Sequence, residues 1–330
     1  MYLPHSYGVA LLFMIGSMLC WGSWANSMKL CPRYRFQLFY WDYIIGLFVG
    51  MLFWGVTLGS YGSGLHFFAD IGHAPSISIM LAILSGAIFN VANLLLVAAI
   101  EIAGMAVAFP VGIGLALIVG ALSSYIVDPQ GNPLLLFGGI ALVTVAIICD
   151  SLAYRARETE FRGKNTRGIV LSLICGILMG TFYPLVSKSM SVPNAPGPYA
   201  TAVFFVIGTA LSSLVINTLF MRKPIDGGTP VTFAQYLSAP QRWHLAGVLG
   251  GSIWVTGAIL NFAASRVHFV GPAISYSIGQ GATMVSAFWG VFVWQEFKSP
   301  TSRIRNLLTA MFACFISGLA AIAAAPLFAH

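Results

Sequence analysis

Leu84-Ser85-Gly86-Ala87-Ile88-Phe89 returns 165 positions later as Leu249-Gly250-Gly251-Ser252-Ile253-Trp254, with leucine, glycine and isoleucine in register and an aromatic ring closing each copy. The offset carries on through Ala98-Ala99 and Ala263-Ala264, Ala108 and Ala273, and Gly114 and Gly279. Upstream, Trp21-Gly22-Ser23-Trp24 sits against Met179-Gly180-Thr181-Phe182. In a chain of 330 residues, a repeat at half the length marks two related halves.

Both copies lie in apolar stretches, and the solvent of those stretches is settled by composition. The chain is 58% hydrophobic and 8% charged, with a mean hydropathy of +0.87. No water-soluble fold hides that much apolar surface, so lipid is its main solvent. With a window of roughly 20 residues per crossing, apolar cores fall near 8–28, 37–58, 77–100, 104–126, 134–153, 168–187, 198–220, 244–264, 269–293 and 306–327. The expected fold is therefore all-α and integral to the membrane, with residues 1–153 and 168–330 as five-helix repeats and 154–167 as a cytoplasmic linker. Because five is odd, the halves insert in opposite orientations. Inverted repeats of this kind are a hallmark of secondary transporters, which bind substrate near the midplane between the halves.

Charge gives the orientation. Of 16 Lys and Arg, only Lys188 and Arg266 lie outside the gaps after odd-numbered stretches; those gaps hold Lys29, Arg33, Arg35, Arg155, Arg157, Arg162, Lys164, Arg167, Arg222, Lys223, Arg242, Lys298, Arg303 and Arg305. The positive-inside rule then puts the odd gaps in the cytoplasm and both termini outside. The net charge of +7 is spread over short loops at membrane ends, which leaves no continuous basic face for nucleic acid. The first apolar stretch has no basic leader and no small-residue cleavage pattern, so it is expected to stay as a helix. Five cysteines without a CxxC pair and six histidines without metal spacing predict no cofactor or metal site. A membrane-embedded enzyme needs convergent ionisable groups that are not evident, and a channel needs no inverted repeat.

Polar groups in hydrocarbon cost free energy, so they mark bundle interiors and pathways. Asp42 lies about two turns inside the cytoplasmic end of the second stretch. An ionised Asp near a helix centre costs roughly 2.5–3.5 kcal/mol on insertion scales. It is either the acid that carries a coupling proton or a structural acid paired with Lys29, Arg33 or Arg35. In the third stretch Gly86, Asn90, Asn93 and Val97 share one face, with Glu101 continuing it. In the ninth, Tyr276, Gln280 and Thr283 do the same. The carboxamides offer donors and acceptors to a small uncharged substrate, or bond neighbouring helices together. Trp21 and Trp24 flank Gly22, and Tyr183 stands beside Pro184 at the equivalent place. Such rings can sandwich a planar ligand, although tryptophans near span ends also form interfacial belts, the role expected of Trp41, Trp243 and Trp294. Glu101, Asp128, Asp150 and Glu296 are expected to fix membrane ends.

In order along nearly the whole chain, Met1-Tyr2, Gly22-Ser23-Trp24, Tyr40-Trp41-Asp42-Tyr43, the Asn93 region, Gly197-Pro198-Tyr199, Gln280, Ser286-Ala287-Phe288-Trp289-Gly290 and Glu296-Phe297-Lys298 resemble the plant ureide permeases and their bacterial relatives. The resemblance implies the drug/metabolite transporter superfamily, ten helices, extracellular termini, a place in a bacterial plasma membrane, and proton-coupled uptake of allantoin, uracil and related oxo-heterocycles. It adds weight to Trp24, Asn93 and Gln280 as substrate contacts. Sugars are the alternative cargo, because glucose/ribose and rhamnose porters belong to the same superfamily. Two departures stand out. The long central loop of plant members, with its nucleotide-binding-like stretch, is here a short one in which Gly163-Lys164 has Glu158 five positions before the glycine and no Ser or Thr directly after. Arg266 stands where an uncharged residue is expected.

Overall fold

A computed structural model describes residues 1–103, 108–157, 166–224 and 228–328. Every regular element among these residues is helical, which matches the all-α expectation. In chain order they are α1 (Tyr7–Ser23), which tightens into a 3-10 turn (Trp24–Leu30), α2 (Phe36–Val56), α3 (Phe67–His73), α4 (Ser76–Ala103), a π turn (Phe109–Gly114) leading into α5 (Leu115–Val127), and α6 (Pro133–Arg157). After these come α7 (Thr166–Ser189), α8 (Pro198–Arg222), α9 (Phe233–Leu237), α10 (Gln241–Ser265), α11 (Gly271–Gly279), α12 (Ala282–Phe288) with a π turn (Trp289–Val293), and α13 (Ser302–Ala324). Of the expected linker, residues 158–165 lie outside the described residues.

Start signals are local. Pro198 opens α8, where its missing N–H costs nothing. Thr301 caps α13 by accepting from Ile304 N at 3.3 Å. Thr232 and Gln235 form a capping box for α9. Gly271, at φ 70, takes the left-handed turn into α11.

Among the described residues, eight helices are long and apolar enough to cross a membrane, and Val111–Val127 is a shorter apolar helix. Of the ten crossings expected from hydropathy, the fourth and the ninth are not single long helices. The fourth stretch carries the π turn around Pro110, Gly112 and Gly114. The ninth breaks into α11 and α12 at Gly279-Gln280-Gly281, where Gln280 N bonds Tyr276 O at 3.0 Å and Gly281 N tightens to Ile278 O at 2.9 Å. Glycine tolerates the tightened turn, and hydropathy alone does not register it. Leu134, 84% exposed, and Ile126, 81% exposed, point outward as lipid-facing side chains do.

Inside the bundle, α4 packs on α7 and α8, α10 on α1 and α2, α5 on α7, α1 on α11 and α12, and α6 on α13. With no hydrophobic drive between helices in lipid, close approach through small residues supplies the contact. A Cβ on Gly86 would overlap the Phe205 carbonyl, and one on Gly208 the Ile83 carbonyl, so α4 and α8 touch backbone to backbone. Gly251 against the Tyr43 carbonyl and Gly46 against the Val248 carbonyl do the same for α10 and α2. Gly139 and Gly318 each meet the other's carbonyl where α6 crosses α13. Loops hold the helices near both ends of the described residues: Met1 donates to Ser63 O at 3.0 Å, and Asn132 N bonds Ala325 O at 2.9 Å.

Candidate functional site

Rings from five helices meet near the midpoints of α4 and α10. Phe89 lies 4.3 Å from Trp254, ring centre to ring centre. Phe205 stacks on the same indole at 5.9 Å and 11°, and Trp21 stacks on it at 5.9 Å and 20°. Phe182 stands edge-on to Phe89 at 5.4 Å. Such pairs are each worth about 0.5–1.5 kcal/mol beyond the area they bury, so the wall is rigid. Alongside it, Trp24 leans on Tyr43 at 5.0 Å and Tyr43 stacks on Tyr40 at 5.1 Å. Gly251 and Gly257, to either side of Trp254 on α10, leave room for Tyr43 and Trp21.

Two polar atoms of this aromatic group, the Trp21 Nε1 and the Tyr43 hydroxyl, are buried without a hydrogen-bond partner. An orphaned buried donor costs about 1–3 kcal/mol. The break after Gly279 reaches the same place, because a Cβ on Gly279 would lie 2.7 Å from the Trp21 ring and 2.8 Å from Asn261 Nδ2.

The other expected side chains divide between bonding networks and the helix break. Asn90 is spent on helix contacts, accepting from Tyr40 OH at 2.7 Å and Ser213 Oγ at 3.1 Å and donating to Ser212 Oγ at 2.9 Å. Asn93 donates to Tyr40 OH at 3.2 Å. Tyr183 bonds the Asn261 side-chain oxygen, and Asn261 donates to Ser17 Oγ at 3.1 Å and Ser275 O at 3.0 Å. The expected face of Tyr276, Gln280 and Thr283 is not continuous, because the break falls within it. Tyr276 is fully buried and donates to Ala116 O at 3.2 Å, while Gln280 caps α11. Thr283, half-buried in α12, donates to Gln280 O at 3.0 Å.

Asp42 finds partners that the sequence reading did not name. It is 1% exposed. It accepts from Tyr34 OH at 2.8 Å and Tyr236 OH at 2.6 Å, and His244 Nδ1 lies 2.9 and 3.0 Å from its two oxygens. Burial first, then the hydrogen bond to Asp42, pushes both the Tyr34 and Tyr236 phenols above their ordinary range, so they stay protonated as donors. Lys29, one of the partners expected for Asp42, instead meets Glu296 at 3.3 Å. Glu296 also takes Arg157 at 3.7 Å and Tyr154 OH at 2.9 Å. Sequence reasoning missed His244, Tyr34, Tyr236 and Asn261, and it read Phe89 and Trp254 as repeat markers only. Their matched places in the two halves were the available signal. The side chain of Glu101 lies outside the described residues, and among the described residues no cluster of His, Cys, Asp or Glu could hold a metal.

The Sugar transport protein family model matches residues 43–323. Ureide permease 1 of Arabidopsis thaliana is 22% identical, with 98% of each chain covered. A glucose uptake protein of Bacillus subtilis is 23% identical over 74% of this chain and 79% of its own. A putative ribose uptake protein of Staphylococcus aureus is 21% identical over 91% of this chain and 94% of its own. A solved crystal structure superposes with a TM-score of 0.66 at 17% identity, covering 96% of each chain, and so shares the fold.

Proposed function

The chain belongs to the Sugar transport protein family, and from that membership we propose that this integral membrane transporter works by alternating access between two inverted five-helix halves. Protons drive uptake of a small planar substrate, an oxo-heterocycle or ureide such as uracil or allantoin. The termini are extracellular and the membrane is a bacterial plasma membrane.

Packing supports the inverted halves. If α1, α2, α4, α5 and α6 correspond to α7, α8, α10, the α11–α12 segment and α13, each major contact has its counterpart. The α4–α8 contact maps to α10–α2, α4–α7 to α10–α1, and α5–α7 to the α11–α12 segment on α1, while α6–α13 maps to itself. The crossing glycines follow: Gly86 on Phe205 corresponds to Gly251 on Tyr43, and Gly208 on Ile83 to Gly46 on Val248. The π turn of the fourth stretch ends at Gly114 and the break of the ninth begins at its match, Gly279, and interrupted helices at corresponding places of two halves support a midplane site in such folds.

The cargo reading rests on the aromatic wall with its unpartnered Trp21 Nε1 and Tyr43 hydroxyl. Flat rings favour a flat ligand, and an indole N–H only donates, which suits a carbonyl-bearing ring. Trp24, Tyr183, Tyr276, Asn90 and Asn93 border or brace that wall, Gln280 and Thr283 join them from the break in the ninth stretch, and Asp42 belongs to the proton-coupling site. A second reading, sugar uptake, is favoured by the names of the bacterial relatives. Aromatic faces and carboxamides also serve sugars.

Competition against uptake of radiolabelled uracil and allantoin in proteoliposomes separates the two. Unlabelled ureides and pyrimidines are expected to inhibit, and glucose and ribose are not. Inhibition by sugars and not by ureides would overturn the heterocycle reading.

A further inference from the structure

The crossing of α2 and α10 carries ionisable side chains, whereas its counterpart does not. Asp42 stands one turn before Gly46, and His244 one turn before Val248, the pair whose backbones touch. At the corresponding crossing of α8 and α4, Phe204 stands one turn before Gly208, and Ile79 one turn before Ile83. An apolar pair therefore suffices to close this geometry. Two ionisable groups in its place carry a desolvation cost that packing does not require.

The pair is also graded in access to water. Asp42 is sealed, at 2% side-chain exposure, while the His244 side chain is 25% exposed. A carboxylate only accepts, so the Nδ1 facing both its oxygens carries a hydrogen, which leaves the Nε2 lone pair of the neutral ring to take a proton. Histidine is the side chain that changes charge most readily near neutral pH. The other titratable groups here are Cys31, whose thiol points to Ser27 O and Met28 O, and the Tyr34 and Tyr236 phenols. Arg35, at the start of α2, reaches Thr229 O at 3.4 Å, and α8 presents the uncharged Asn217 and Met221, bonded to Gln37 O and Trp41.

We propose that His244 is the group that picks up and releases the coupling proton, and that Asp42 is the fixed charge that holds it. One N–H bond forms on the ring as one O–H bond of a hydronium ion breaks, and water is left behind. The resulting imidazolium and carboxylate tie α2 to α10, one helix from each half, until the proton leaves. This rests on the proton-driven reading above and names the group that carries the proton.

The test uses purified protein in liposomes loaded with a pH-sensitive dye, with whichever of allantoin, uracil, ribose or glucose exchanges fastest. His244→Gln is expected to keep substrate exchange while losing substrate-driven proton movement. Gly138→Ala, where an added Cβ meets nothing within 4 Å, is expected to keep both. Proton movement retained in His244→Gln overturns the assignment to His244 and leaves proton coupling standing. Absence of proton movement in the unmodified protein sinks proton coupling, and this inference with it. His244→Asn gives a second variant should the Gln one fail to fold, with the same expected loss of proton movement. Proton movement retained there also overturns the proposal.

Discussion

Asp42→Asn is expected to reduce accumulation of substrate to its equilibrium level while exchange across the membrane continues. In the unmodified protein a pH gradient of one unit supports about tenfold accumulation per coupled proton, ~1.4 kcal/mol. The amide keeps the shape and one acceptor oxygen, so the Tyr34 bond at 2.8 Å can persist. It removes the charge beside His244 and puts an N–H where Tyr236 or His244 donates. Local repacking is then required at that corner, but the aromatic wall on α4, α8 and α10 is made by other residues. The measurement is concentrative uptake under an imposed pH gradient, paired with counterflow without one. A variant that still concentrates substrate removes Asp42 from the coupling scheme, and loss of both activities points to misfolding rather than uncoupling.

Gly251→Leu is expected to be among the most damaging single changes in the helix crossings. The first added carbon meets the Tyr43 carbonyl oxygen and the Leu47 and Tyr43 backbone, none of which can swing aside as a side-chain tip would. Overpacking a well-filled core costs about 1–3 kcal/mol, and here two helix axes must part as well, so a loss at or above the top of that range is expected. Gly86→Leu should match it at the Phe205 carbonyl. Gly138→Ala is the control, because a Cβ there meets nothing within 4 Å. Thermal unfolding of the detergent-purified variants checks this. A melting temperature for Gly251→Leu equal to that of Gly138→Ala would show that the crossing is looser than described.

Hydropathy located the long helices because each has to satisfy its backbone internally in lipid, which leaves a long apolar run in the sequence. The glycine matches at offset 165 pointed to the contacts as well as to the repeat, since Gly86 and Gly251 are where backbones meet. The interior of the ninth stretch was not legible by periodicity. Tyr276, Gln280 and Thr283 keep helical spacing through a break that only the flanking Gly279 and Gly281 betray. The surroundings of Asp42 were hidden for a different reason. His244 lies 202 positions away and arrives through the α2–α10 crossing, and Tyr236 lies 194 away and arrives on the short α9. Lys29, near Asp42 in the sequence, was the wrong guide, because it is drawn to Glu296. The aromatic wall was half legible: Trp21 and Trp24 were singled out, while Phe89 and Trp254 showed only as a repeat match.

Trp21→Phe tests the central claim, that substrate sits against this wall and accepts a hydrogen bond from it. The change keeps an aromatic face for stacking on Trp254, 5.9 Å away, and deletes the unpartnered Nε1 donor. Equilibrium binding of radiolabelled allantoin and uracil to the purified protein is the measurement. The expected result is an affinity about tenfold weaker with thermal stability no lower than that of the unmodified protein, the ~1.4 kcal/mol of one buried hydrogen bond to the ligand. An unchanged affinity would place the substrate elsewhere and contradict the account.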